Sequence, residues 1–262
     1  MESAVEISDL KIAVPHPTLR IALTPPRESD GAAVILGLNH PKVYMNLNGP
    51  PYPYTAKDWT EWYAKSSSDS KENLSELIAI RKSEQSSPST TGKFATAGDG
   101  SQRSWLGRHW TSTIRHFEDS DASTNANFIG EIGVERESFL YIVDEEERNR
   151  RKEANDKLQA GDPNITWEIG FWLVPEYHGR GIMPAALQTL MAEVIIPHMN
   201  AHTIVGTYFE HNLASRRVFE KCGFSFEKVV PSAIAINPAK IGEAQRPKVG
   251  VGILRWERNL GD

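Results

Sequence analysis

Residues 166–224, TWEIGFWLVPEYHGRGIMPAALQTLMAEVIIPHMNAHTIVGTYFEHNLASRRVFEKCGF, constrain the fold more than any other part of this 262-residue chain. They read as strand, glycine turn, helix, strand and helix. Ile165, Trp167, Ile169, Phe171 and Leu173 alternate with Thr166, Glu168, Gly170, Trp172 and Val174, a period of two that specifies a strand. Pro175 ends it. The turn HGRGIM, residues 178–183, sets two glycines where the backbone bends sharply. At a helix start such a turn leaves amide N–H groups unpaired, and the helix dipole adds partial positive charge, so the turn suits a phosphate. Met183, Leu187, Leu190, Met191 and Val194 recur at helical spacing, Pro184 falls in the tolerant first turn, and Pro197 is expected to stop the helix.

Three kinds of phosphate-binding loop compete for this turn. A Walker A loop needs Lys-Ser/Thr after its last glycine, and neither residue follows Gly181. A dinucleotide fingerprint needs a third glycine where Pro184 stands, and no acidic residue closes a strand at the required distance beyond it. The acyl-CoA diphosphate loop is the third, and the chain beyond the helix decides. HTIVGTYFEHN is a second short strand running into Asn212, placed as the N-cap of LASRRVFEKCGF, which Lys221 and Gly223 close.

EIGFWLVPEYHGRGIMPAAL followed by NLASRRVFEKCGF resembles the GCN5-related N-acetyltransferases (GNAT), in particular their RimJ/RimL-like branch. The resemblance implies an α/β, GNAT-type fold, a mixed twisted central sheet flanked by helices. It also implies an acetyl-CoA-dependent N-acetyltransferase acting on a primary amine by direct attack in a ternary complex. By the same resemblance, main chain at Leu173 and Val174 meets the pantetheine arm in a gap beside the strand ending at Phe209. His178, Gly179, Arg180, Gly181, Ile182 and Met183 cradle the diphosphate, and Asn212 orients the arm, with plain helix capping as its competing role. Two departures stand out. Met183 replaces a small residue of the family loop, and Phe219 stands where many members carry a tyrosine acid; Ser215, one turn after Asn212, is the substitute partner for the leaving sulfur. Arg180 can add positive charge or be a solvated surface arginine. Glu168 is the candidate base, because a carboxylate on an apolar central strand is costly unless functional or paired; a structural ion pair is the competing role.

Composition narrows the setting. A net charge of −5 gives no electrostatic case for nucleic acid. Cys222 is the sole cysteine, so neither a disulfide framework nor a thiolate metal site is expected, and its position suits packing. His198 and His202 lie four apart, but Met199 follows the first where a zinc-protease signature has glutamate, so no metal is expected. The first residues lack a signal-peptide core, and no run was expected to match a membrane span, which places the chain in the cytoplasm, with the nucleus open. The acceptor is a small-molecule amine or a protein N-terminus, and the oligomeric state is monomer or homodimer. A non-catalytic acyl-CoA-binding or scaffolding chain on the same fold is the alternative, suggested by Phe219 and the long insertions.

Elsewhere, residues 1–16 read as a tail or an added strand before a single domain, 17–260. LRIALTPP is the first strand and RESDGAAVILGLNHPKVYMNL one or two helices. NLNGPPYPYT is a rigid turn packed by its own aromatics or an acceptor-binding lip. AKDWTEWYAKSS reads as a short helix, and SELIAIRK, residues 75–82, as a strand paired with NFIGEIGVE, residues 127–135. An insertion at about 83–126 separates these two, within which SWLGRHWTSTIRHF is expected to be helical. A second insertion, about 136–164, carries a mixed-charge helix facing water. SFEKVVPSAIAI and PKVGVGILRWERNL give two closing strands.

Overall fold

A computed structural model describes residues 11–86, 105–109, 112–118, 126–241 and 248–258. Eight strands form one mixed sheet: β1 (Ile12–Val14), β2 (Arg20–Thr24), β3 (Thr113–Phe117), β4 (Ala126–Arg136), β5 (Thr166–Leu173), β6 (Thr203–Phe209), β7 (Ser225–Ala235) and β8 (Lys248–Glu257). Their order is β1-β2-β3-β4-β5-β6-β8-β7. Every neighbouring pair is antiparallel except β5 and β6, which run parallel. A parallel pair needs a crossover, and here that crossover is the helix after the glycine turn.

The helices are α1 (Gly31–Leu38), α2 (Pro41–Tyr44), α3 (Ala56–Ser86), α4 (Glu145–Asp156), α5 (Ile182–Leu190), α6 (Ile196–Met199), α7 (Leu213–Lys221) and α8 (Pro238–Ile241). They divide between the two faces of the sheet as the strand alternation dictates. Trp167, Ile169 and Leu173 of β5 share a core with Ile182, Leu187 and Phe219 of α5 and α7. Trp172, on the opposite face, shares a second core with Val34, Leu38 and Trp59 of α1 and α3.

Four expectations change. Residues 75–82 are not a strand but the last turns of α3, a single 31-residue helix that begins with the expected AKDW segment. Glu, Leu, Ala, Lys and Arg favour helix there, and Ser75 Oγ bonds back to the Lys71 carbonyl at 2.9 Å, as a helical serine does. The antiparallel partner of β4 is instead β3, TIRHF, inside the segment expected to be helical. Its β-branched and aromatic residues suit a buried strand; Trp110 of that segment lies outside the described residues. Pro197 does not stop the helix. A π turn over Met191–Ile195 shifts the hydrogen-bond register so that Ile196 N–H reaches Met191 O, and Pro197 falls in the first turn of α6, where a missing donor is tolerated. The run Ile182–Met199 has mean hydropathy 1.2, sufficient by composition to cross a bilayer, contrary to the sequence expectation; 56% of it is buried as the core helix of this face.

The remaining segments follow the sequence. β1 is an added edge strand, α4 is a mixed-charge helix capped by Asp144, whose carboxylate accepts from Glu147 N–H at 2.7 Å, and β7 and β8 close the sheet.

Candidate active site

β5 and β6 pair only from Thr166↔Thr203 to Ile169↔Gly206. Beyond that point Gly170–Leu173 and Thr207–Phe209 diverge, leaving a split whose closed end is at Ile169 and Gly206. The cause sits behind it. The ring of Phe219, 1% exposed, lies where a Cβ on residue 206 would be, about 2.4 Å from its nearest atom, so only glycine admits it. Phe219 also packs on Phe171 and Phe224 at ring separations of 5.1 Å each. It is a hydrophobic wedge at the apex, with no proton to give.

The main chain facing the split follows from strand alternation. Val174 N–H donates to Ile129 O at 2.9 Å and its carbonyl accepts from Tyr177 N–H at 3.0 Å, so this residue turns its amide away from the split. In an antiparallel ladder alternate residues point to alternate sides, which turns Phe171 and Leu173 toward β6. Phe171 was missed in the sequence, although its place in the period of two was visible. The Leu173 carbonyl accepts from His178 Nε2–H at 2.8 Å, so this histidine holds the strand end against the turn.

At the open end lies the glycine turn. Gly179 and Gly181 have φ of 74° and 79°, the left-handed region that favours glycine. A Cβ built on either meets nothing within 4 Å, so the space before the turn is open. Gly181 is the N-cap of α5, which leaves the first amides of Ile182 and Met183 without intrahelical partners. The Arg180 carbonyl accepts from His16 Nε2–H at 2.8 Å, and its guanidinium lies 5.3 Å from the centre of the Tyr177 ring. Tyr177 in turn bonds His116 Nδ1 at 2.9 Å. Donors, dipole and a nearby cation fit the diphosphate of coenzyme A. Asn212 caps α7: its side-chain oxygen accepts from Ser215 N–H at 3.2 Å. Both residues line the same cleft, a cavity of about 1840 Å³ that runs from the turn through the split to the α1–α3 side of the sheet.

Glu168 sits beside the apex on that side. Its Oε1 accepts from Thr207 Oγ1–H at 2.9 Å and its Oε2 from Ser138 Oγ–H at 2.9 Å. No basic side chain is its hydrogen-bond partner among the described residues, which removes the structural ion pair and leaves a carboxylate oriented by two hydroxyls. A second carboxylate, Glu131 on β4, was not singled out in the sequence. It stands opposite Trp172, whose Nε1–H donates to Oε2 at 2.9 Å. Burial first, and then the field of Asp30, push its carboxyl up to about 7 against the opposing Trp172 bond. The signal was available, since Glu131 interrupts the apolar β4 as Glu168 interrupts β5. Residues 46–51 and Tyr54 form the far lip of the cavity. Asn39 clamps Tyr54, accepting from its N–H at 2.8 Å and donating to its carbonyl at 2.7 Å, while the tilted rings of Tyr44 and Tyr52 pack with centroids 4.1 Å apart. The segment is therefore both a self-packed turn and a wall of the cleft.

Comparison with known proteins agrees with this geometry. The acetyltransferase (GNAT) domain family matches residues 20–225. A probable N-acetyltransferase of Bacillus subtilis, YjcK, is 26% identical over 160 residues, 48% of this chain and 87% of the relative. Two solved structures share the fold. RimL, the ribosomal L7/L12 alpha-N-protein acetyltransferase in complex with coenzyme A, aligns with TM-score 0.52 and 16% identity over 94% of this chain and 98% of its own. Spermidine N-acetyltransferase from Vibrio cholerae, in complex with coenzyme A and spermine, aligns with TM-score 0.52 and 14% identity over 90% and 95%. With a split sheet, a left-handed glycine turn at the head of the crossover helix, and a family match over most of its length, this chain belongs to the GNAT family of acetyltransferases.

Proposed function

We propose that the chain transfers the acetyl group of acetyl-CoA to a primary amine in a ternary complex. The observation that carries this reading is the carboxylate of Glu168 at the closed end of the split, held by Thr207 and Ser138 with no basic side chain bonded to it among the described residues. The turn at 178–183 and the main chain of Phe171 and Leu173 hold the thioester with its carbonyl near Gly170 and Thr207. An amine entering from the α1–α3 side then meets that carbon. A new N–C bond forms as the C–S bond breaks, and the amine proton passes to Glu168 directly or through one water. The Ser215 hydroxyl, on the cleft wall at the start of α7, supplies a hydrogen bond to the departing sulfur.

The acceptor is a small amine or a protein N-terminus, the two classes named for the structural neighbours. The proposed setting is the cytoplasm. The test is thiol release from acetyl-CoA with panels of alkylamines and short peptides. Turnover with an amine, abolished by acetylating that amine beforehand, is expected. Tight acetyl-CoA binding without thiol release on any member of either panel would overturn the proposal.

A further inference from the structure

On β4, alternation puts Glu131, Gly133 and Glu135 on the face that carries Glu168 and Trp172 of β5. Glu131 Oε2 is held by Trp172, but Oε1 is out of contact with solvent and has no hydrogen-bond partner among the described residues. The residue nevertheless lines the cleft, together with Tyr54, Trp62 and Trp172. The neighbouring acid cannot satisfy it. Asp30 is paired bidentately with Arg115, at 2.7 and 2.6 Å, and acts on Glu131 only as a like charge. A buried carboxylate oxygen without a donor is costly, and a ligand that brings a donor recovers that cost.

Glu131 is displaced along the sheet from the attacked nitrogen. In the β4–β5 register Gly133 faces Gly170, beside which the thioester carbonyl is proposed to sit, and Glu131 faces Trp172, two residues along. At about 3.4 Å per residue and 4.8 Å between strands, the Cα atoms of Glu131 and Gly170 are roughly 8 Å apart. Whatever Glu131 binds must lie farther along the same acceptor. A carboxylate acceptor in a cleft whose wall also carries the aromatic residues Tyr54 and Trp62 suits a cation rather than a neutral or anionic group.

We propose that Glu131 recognises a second positive charge on the acceptor, so that the preferred substrates are amines carrying another ammonium or guanidinium group on the order of 10 Å from the nitrogen that takes the acetyl group. This rests on the acetyltransferase reading above, and its experiment separates the two. Thiol release is measured for unbranched α,ω-diamines of increasing length and for monoamines of equal length, with wild type and Glu131→Gln, whose amide oxygen can still accept from Trp172. In wild type, one window of diamine lengths exceeds the matched monoamine in kcat/KM by tenfold or more, the scale of a charge-assisted hydrogen bond. In Glu131→Gln that ratio falls below threefold, chiefly through KM. A wild type without diamine preference, or a variant whose two rates fall in step so that the ratio survives, overturns the proposal. Should the variant fail to fold, the wild-type comparison alone decides. Calorimetry of the same amines with the coenzyme A complex separates the readings. Diamine-selective binding without thiol release removes the acetyltransferase reading and leaves this site standing, whereas unselective binding and turnover removes the site.

Discussion

Breaking the Arg115–Asp30 pair should unfold the wall of the acceptor cleft before it affects the coenzyme side. Arg115 and Asp30 are 1% and 3% exposed. The two guanidinium bonds of 2.7 and 2.6 Å are joined by a third, Arg115 Nε–H to Thr24 Oγ1 at 2.8 Å, and Asp30 Oδ2 also accepts from Arg27 N–H at 2.8 Å. The cluster therefore ties β2 and β3 to the residue from which α1 starts. Arg115→Met removes the cation and leaves Asp30 buried with one backbone donor, which costs about 3–5 kcal/mol, a large share of the roughly 5–15 kcal/mol that holds a domain together. The double variant Arg115→Met/Asp30→Leu removes both charges, so most of that loss should return, less about 1 kcal/mol for the local bonds at the helix start. Urea unfolding followed by tryptophan fluorescence reads both as midpoint changes at constant slope. In the surviving native fraction of Arg115→Met, KM for the acceptor should rise while coenzyme A affinity holds, because α1 packs on Trp172 and not on the glycine turn. A single variant within 1 kcal/mol of wild type, or a double variant as unstable as the single, would refute the reasoning.

Glu168→Gln keeps the contacts to two rotatable hydroxyls but cannot take a proton. Its kcat should drop about 10²–10⁴-fold with coenzyme A affinity nearly constant, and stopped assays giving a rate within threefold of wild type would exclude it as the base. Gly181→Val places a β-branched residue at φ 79°, where strain of about 1–2 kcal/mol and intrusion into the diphosphate space should together weaken coenzyme A binding by tenfold or more in calorimetry. Glu137, 1% exposed, is pushed up to about 7, by burial above all and by the Glu168 and Glu227 carboxylates, with Tyr141 and Arg255 opposing. Its folded pKa lies above its ordinary value of 4.5, so the native state binds the extra proton and stability falls as pH rises from about 4.5 to 7. Glu137→Gln should therefore melt higher than wild type at pH 8 and converge with it near pH 4.5; a constant difference across that range would show that the carboxyl titrates normally.

Local chemistry explains what was legible. The turn at 178–183, the N-cap at Asn212 and the strands on either side could be read because each depends on residues adjacent in the chain: glycines where φ is positive, an asparagine where amides lack partners, a period of two where one face is buried. Residues 75–82 were misread for the converse reason. Their apolar residues fit a short strand as well as a helix end, and the choice depended on whether β4 would pair with them or with TIRHF.

The sequence by itself determined the family, the crossover unit and the glycine turn at its head, since those rest on short-range geometry set by residues adjacent in the chain. Only the tertiary structure decided that Phe219 is a wedge against Gly206 and that Val174 turns its amide to Ile129 while Phe171 faces the split. It alone brought Glu131, 37 positions before Glu168 in the chain, onto the same wall of one cleft. Those outcomes depend on which strands become neighbours and in what register, and pairing between distant segments leaves no mark on either segment alone.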